Sequence, residues 1–151
     1  MLVKECPFDH IEVPNCPSIK TEGLVCSIID CSISRFTTPG TPSILSLTNT
    51  RLGIVHYRDL EADEWIFQGD AQVDPQYEVY REMRTTVRQD WRPFNPRTNV
   101  LWCKHIVDCM ASGLPRKGKL RQTLEEVSLR LPGYVDLRSF LRGDEFFGRK
   151  K

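Results

Sequence analysis

The hydrophobic period of this chain changes at Asp74-Pro75. Before that dipeptide apolar residues alternate with a period of two; after it they recur every three or four residues. The first spacing is that of a strand, the second that of a helix. Strand-like segments followed by helix-like segments predict α+β rather than alternating α/β. The expected fold is an N-terminal antiparallel sheet of about four strands, followed by three to four helices packed on one face.

The charge changes sign at the same place. Residues 1–74 hold 5 basic and 11 acidic side chains, whereas residues 75–151 hold 16 and 9. The formal net charge of +1 over 151 residues is therefore a cancellation of −6 by +7. This excludes a uniformly basic nucleic-acid coat and a uniformly acidic tail. The length predicts one domain. Its parts are an irregular Pro- and Cys-rich arm (1–22), an acidic β-meander (23–74), a basic helical half (75–148) and a basic tail (149–151).

In the arm, Pro7, Pro14 and Pro17 stand too close together for a helix. Residues 24–36 read as a strand, with Val25, Ser27, Ile29, Cys31 and Ile33 on one face. Residues 43–48 and 52–58 read as a hairpin, and 64–68 as a short fourth strand ended by Gly69-Asp70. Asp74 then suits an N-cap and Pro75 a first helical residue. The helix that follows runs to Trp91, with Tyr80, Met83, Val87 and Trp91 on its core stripe. A second helix over 99–112 stops at Gly113 and is apolar nearly all round, the pattern of a central buried helix. A third spans 119–131, and Asp136 is expected to cap a short fourth containing Leu137, Phe140 and Leu141.

Three basic features lie in the helical half. Arg81, Arg84, Arg88 and Arg92 share one face of the first helix, where guanidinium groups would track phosphates or dock an acidic partner. A solvated face with Arg stems lying over the core has the same spacing. Trp91, Phe94 and Arg97 interleave with Arg92 in the next loop, as stacking on unpaired bases requires, and as a packed Pro-rich loop also would. Arg116, Lys117, Lys119 and Arg121 surround Gly118 before a helix start, a place that favours anions. A plain exposed basic loop gives the same string.

Six cysteines stand at 6, 16, 26, 31, 103 and 109. No basic n-region followed by an apolar h-region opens the chain, so no signal peptide is expected. No apolar run approaches the roughly 18–20 residues of a membrane span. Reduced thiols and an intracellular setting, cytoplasmic or nuclear, follow. Cys6, His10 and Cys16 are weak zinc candidates, in an arm where ligands could converge. On a helix His105 and Cys109 share a face while Cys103 points away, which is too few ligands for a closed zinc site. Otherwise no cofactor is expected. The sequence has no G-x-S-x-G, H-E-x-x-H or G-x-G-x-x-G motif. His56 with Asp59 nearby is the weakest reading, a general base on a small enzyme.

The residues thus predict a non-enzymatic nucleic-acid-binding protein, for RNA or single strands, that uses Arg81, Arg84, Arg88, Arg92, Arg97, Arg116, Lys117, Lys119, Arg121, Trp91 and Phe94. The alternative is a structural or adaptor protein that self-associates into a homo-oligomer, its acidic half docking a basic half. An acidic protein partner could take the same basic face, and the basic tail could meet an acidic membrane surface.

Overall fold

A computed structural model describes residues 2–5, 7–8, 10–12, 18–20, 24–27, 34–38 and 53–147. Six short strands occur among them: β1 (Leu2–Glu5), β2 (His10–Ile11), β3 (Ile19–Lys20), β4 (Leu24–Ser27), β5 (Phe36–Thr38) and β6 (Ile54–His56). Five α-helices follow: α1 (Trp65–Gln68), α2 (Gln76–Val87), α3 (Arg97–Ser112), α4 (Lys119–Arg130) and α5 (Leu137–Gly143).

The α+β class holds, but a four-stranded sheet does not. Among the described residues the strands form three separate antiparallel pairs, β1 with β4, β2 with β3 and β5 with β6. Leu2 faces Ser27 and Glu5 faces Leu24 in the first; Phe36 faces His56 and Thr38 faces Ile54 in the third. The arm is therefore not wholly irregular. Its prolines forbid a helix but leave Leu2–Glu5 free to pair. The expected strand over 43–48 lies outside the described residues, as does the tail 149–151.

Residues 64–68 are the helix α1, not a strand. The three-residue apolar run Trp65–Phe67 fits either period, and tertiary packing decides it. Ile66 and Phe67 are buried against Val79, Tyr80 and Met83 of α2. The turn before α1 is fixed by Asp59, whose carboxylate accepts from the Glu61 backbone N–H at 3.1 Å.

The helical half follows its sequence pattern closely. The start of α2 lies one residue later than expected, with Pro75 at the N-cap position and Gln76 first in the helix; the Asp74 carboxylate accepts from the backbone and side-chain amides of Gln76 at 3.1 and 2.6 Å. The helix ends four residues earlier than expected. Arg88 takes the left-handed conformation (φ 55°, ψ 41°) and Gln89 follows at φ 63°. Left-handed residues stop helices, at some steric cost to any residue with a Cβ. Trp91 is thus off the helix, yet folds back into the same core. Gly113 ends α3, and Asp136 caps α5 in a capping box with Ser139.

Two apolar clusters result. Leu60, Ile66, Phe67, Val79, Tyr80, Met83 and Trp91 form the first; Val100, Val127, Leu131 and Phe140 form the second. The helix α3 serves both, with Leu101 and Trp102 against the first and Cys103 and Val107 against the second. It is not buried all round, because Ile106 is 39% and Met110 53% exposed. No helix among the described residues is long and apolar enough to cross a membrane.

Gly69 sits where α1 meets α2. A Cβ there would lie 2.3 Å from the ring of Tyr77, which packs on the first cluster. Gly69→Ala is expected to cost about 1–3 kcal/mol by overpacking. Urea unfolding followed by circular dichroism measures it, and an unchanged midpoint would contradict the packing.

Candidate functional site

The basic stripe of α2 faces the segment 58–69 rather than open solvent. Arg81 donates from Nη1 to the carbonyls of Phe67 and Gly69, both at 3.0 Å, and from Nε to Glu78 at 2.9 Å. Those carbonyls end α1, where helices leave acceptors unpaired. Arg84 grips both carboxylate oxygens of Glu61, with Nε at 3.1 and 3.0 Å. Its guanidinium carbon also lies 4.5 Å from the centre of the Phe67 ring. Trp91 donates from Nε1 to the same carboxylate at 3.1 Å, and its ring stacks on Phe67 at 6.3 Å.

Glu61 is therefore the hub of a joint made by Arg84, Trp91 and Phe67. Arg84 holds its carboxyl below the usual carboxylate range; the Trp91 N–H adds to this and partial burial opposes it. Asp63 is likewise held low, by Arg58 at 2.6 Å. These acids stay ionised and are structural anchors rather than proton donors.

Other predicted contacts are scattered. Arg97 donates to the Tyr134 carbonyl at 2.6 Å, and Arg121 to Glu125 and the Leu114 carbonyl at 2.7 and 3.2 Å. Arg116 and Lys117 are exposed on the turn before α4, and Lys119 is exposed at its first residue. Arg88 and Phe94 both line an open groove of about 490 Å3, with Thr86, Val87 and Asp90. Phe94 is 59% exposed there, with the Arg35 guanidinium 5.7 Å from its ring centre. Arg35 also donates to the Arg92 carbonyl at 2.7 Å, tying the β5 region to this loop. The predicted surface is thus divided: Arg81, Arg84 and Trp91 are turned to the joint, Arg97 and Arg121 brace other helices, and Arg88 lies with Phe94 in the groove.

His56 does not pair with Asp59. It stacks on Phe36 at 4.8 Å and its Nε2 lies 3.0 Å from Thr38 Oγ1, while Asp59 is used as a cap. Cys6 and Cys16 lie outside the described residues, and His10 faces Lys20 across the β2–β3 pair. Among the described residues no three His, Cys, Asp or Glu side chains are grouped to hold a metal ion. Glu61 was not singled out from the sequence. The signal was available: an acidic turn at 59–64 stands just before an Arg-rich helix that needs anionic partners.

The matched pattern of the haspin like kinase domain runs over residues 4–131. This chain belongs to the haspin-like kinase domain family. It is 35% identical to serine/threonine-protein kinase haspin of Bos taurus over 102 residues, 68% of this chain and 11% of that protein. It is 32% identical to the serine/threonine-protein kinase haspin homolog of Arabidopsis thaliana over 131 residues, 85% of this chain and 19% of that one. The Drosophila melanogaster homolog matches at 31% over 87 residues, 56% of this chain and 15% of its own length. The chain therefore spans about a tenth to a fifth of the curated relatives it matches.

Membership in the haspin-like family corrects the expectation of a non-enzymatic protein that binds RNA or single strands. A kinase-domain pattern covering most of the chain points to an enzyme class. The geometry agrees with the correction, because Trp91 and the guanidinium groups of Arg81 and Arg84 are occupied within the protein.

Proposed function

We propose that the protein is a serine/threonine protein kinase and that these residues form part of its kinase domain. The match over residues 4–131 carries the reading. The Glu61 joint supports it in a physical sense. Phosphoryl transfer rests mainly on positioning and electrostatic stabilisation, which need a rigid frame. Arg81 and Arg84 fix the segment 58–69 to α2 through several charge-assisted bonds, and such bonds are the stronger kind. An intracellular setting, where ATP is supplied, belongs to the same proposal.

Kinases hold ATP with Mg2+. The described residues offer no cluster that fits a metal ion, so no step of transfer is assigned to them. Outside them, Asp30 is the single acid between Glu22 and Asp59 and follows Ile28-Ile29 in an otherwise acid-free sequence. A lone carboxylate beside apolar residues suits a metal-holding role, and we nominate it.

The test captures the protein from its own cells with an antibody to residues 97–131 and supplies labelled ATP, Mg2+ and a peptide library. Label on Ser or Thr, absent from a tagged Asp30→Ala copy, is the expected result. No transfer to any Ser or Thr overturns the kinase reading. Undiminished transfer by Asp30→Ala overturns the nomination alone.

A further inference from the structure

The groove at the C-terminal end of α2 plays no part in the kinase reading. Arg88, Asp90, Phe94 and Asn95 are among the residues that line its volume of about 490 Å3. Its walls are tied together before any ligand arrives. Asn95 donates from Nδ2 to the Thr86 carbonyl at 3.3 Å, and its Oδ1 accepts from the Arg97 backbone N–H at 3.1 Å. Arg35 donates to the Arg92 carbonyl at 2.7 Å and lies over the Phe94 ring. A pre-formed cleft binds without first ordering its loops.

Two side chains of this cleft are held there at a cost. Phe94 is 59% exposed, although Trp91, three residues earlier, is buried. Arg88 stands at the left-handed position that ends α2, with φ 55°. Glycine meets that requirement without steric cost, and a residue with a Cβ does not. A long cation kept there serves something other than helix termination. Its guanidinium has no partner among the described residues. By contrast Arg58, Arg81, Arg84, Arg97, Arg121 and Arg130 all donate to carboxylates or carbonyls within the protein. Asp90 is the acid on the lining, and its carboxylate accepts from the Arg92 backbone N–H at 3.1 Å. Arg88, Arg35 and the exposed Arg92 of the same loop outnumber it.

We propose that this groove docks an acidic peptide segment of a partner protein, one that carries a bulky apolar side chain flanked by carboxylates. Guanidinium forks match carboxylates bidentately, and charge-assisted bonds of this kind are the strong ones. The exposed Phe94 ring supplies an aromatic anchor for the apolar side chain. The surface is separate from the Glu61 joint, where Arg84 is already paired.

Fluorescence anisotropy of the full chain with a labelled peptide, Leu between two pairs of Glu, tests this. The peptide should bind, and more weakly as salt rises. Versions with Gln for Glu or Ser for Leu should each bind about tenfold more weakly. Phe94→Ala and Arg88→Gly should each weaken binding of the original peptide by about the same factor. Arg116→Gln, on the turn before α4, should leave it unchanged. Arg88→Gly also separates docking from folding, because glycine suits the left-handed position and should not lower the melting temperature. A lower melting temperature would show that the arginine is structural and overturn the argument from its backbone. Equal binding by wild type, Phe94→Ala and Arg88→Gly would overturn the site, as would no binding at low salt. Tighter binding of a single-stranded oligonucleotide to the same residues would overturn the peptide as occupant. A concentration-dependent dimer lost in Phe94→Ala would place a second copy of this chain there and overturn it equally. None of these results bears on whether the protein is a kinase.

Discussion

Asp144→Ala is expected to cost about 3–5 kcal/mol, the range for breaking a buried ion pair by removing one partner. Asp144 is 1% exposed, at the junction of α4 and α5. Arg130 donates to both of its oxygens at 2.9 Å, the Tyr134 hydroxyl donates at 3.1 Å and the Phe146 backbone N–H at 2.9 Å. Removing the carboxylate leaves three donors facing a void. Arg130 has some relief, because Glu145 lies 3.1 Å away at the surface, which argues for the lower half of the range. Asp144→Asn keeps the shape and loses the charge, so it should fall between the wild type and alanine.

The pH dependence of that loss follows from the same contacts. Arg130 first, then the Phe146 N–H and the Tyr134 hydroxyl, hold the Asp144 carboxyl below its ordinary value, against the opposing effect of burial. A depressed folded-state value means that stability is present above the unfolded value, about 3.9 for Asp, and is lost as pH falls through the folded one. The difference between wild type and Asp144→Asn should therefore be full at pH 7 and shrink below about pH 4. Urea midpoints across that range measure it. A difference that stays constant with pH would show that the carboxylate is not held by charge.

How much of this was legible in the sequence depends on how local each cause is. The helices α2, α3 and α4 were readable because Tyr80, Met83, Val100, Leu124 and Val127 repeat at helical spacing and Pro75, Gly113 and Gly118 punctuate them. Asp136 as a cap was readable because its partner, Ser139, is three residues away. The strand pairs were not. Leu2 finds Ser27 and Phe36 finds His56 across long gaps, and two- to four-residue strands carry too little alternation to reveal a partner. Of the Arg stripe only Arg81 and Arg84 lie on α2, since Arg88 and Arg92 fall beyond its end, and the meaning of Arg84 was set by Glu61, 23 residues upstream. A helix face that looks cationic in isolation is neutralised by a turn the period cannot place. Family membership was hidden for a related reason. The likeness runs over 87 to 131 residues at 31–35% identity, and none of the motifs sought in the sequence carries it.

Trp91→Ala decides what that tryptophan is for. A ring kept for stacking on a ligand is exposed, and truncating it leaves stability where it was. Trp91 is 9% exposed and packs with Phe67, Tyr80 and Met83 in the first cluster. Its loss should cost about 3–5 kcal/mol, as large-to-small changes of buried aromatics do, and lower the melting temperature by about 10 °C or more. The cost has two parts that a second variant separates. Trp91→Phe keeps most of the buried ring but cannot donate to Glu61, which still holds Arg84. The expected loss for phenylalanine is about 1 kcal/mol, that of one hydrogen bond. If phenylalanine proves as damaging as alanine, the Glu61 contact rather than the packed ring holds the joint. If neither variant moves the melting curve, the ring is not part of the core. The expected order, alanine far below phenylalanine and phenylalanine just below wild type, makes Trp91 the side chain that locks the segment 58–69 against α2 from behind. Arg84 then grips that segment from the helix, and a kinase domain built on it inherits a frame clamped on both sides.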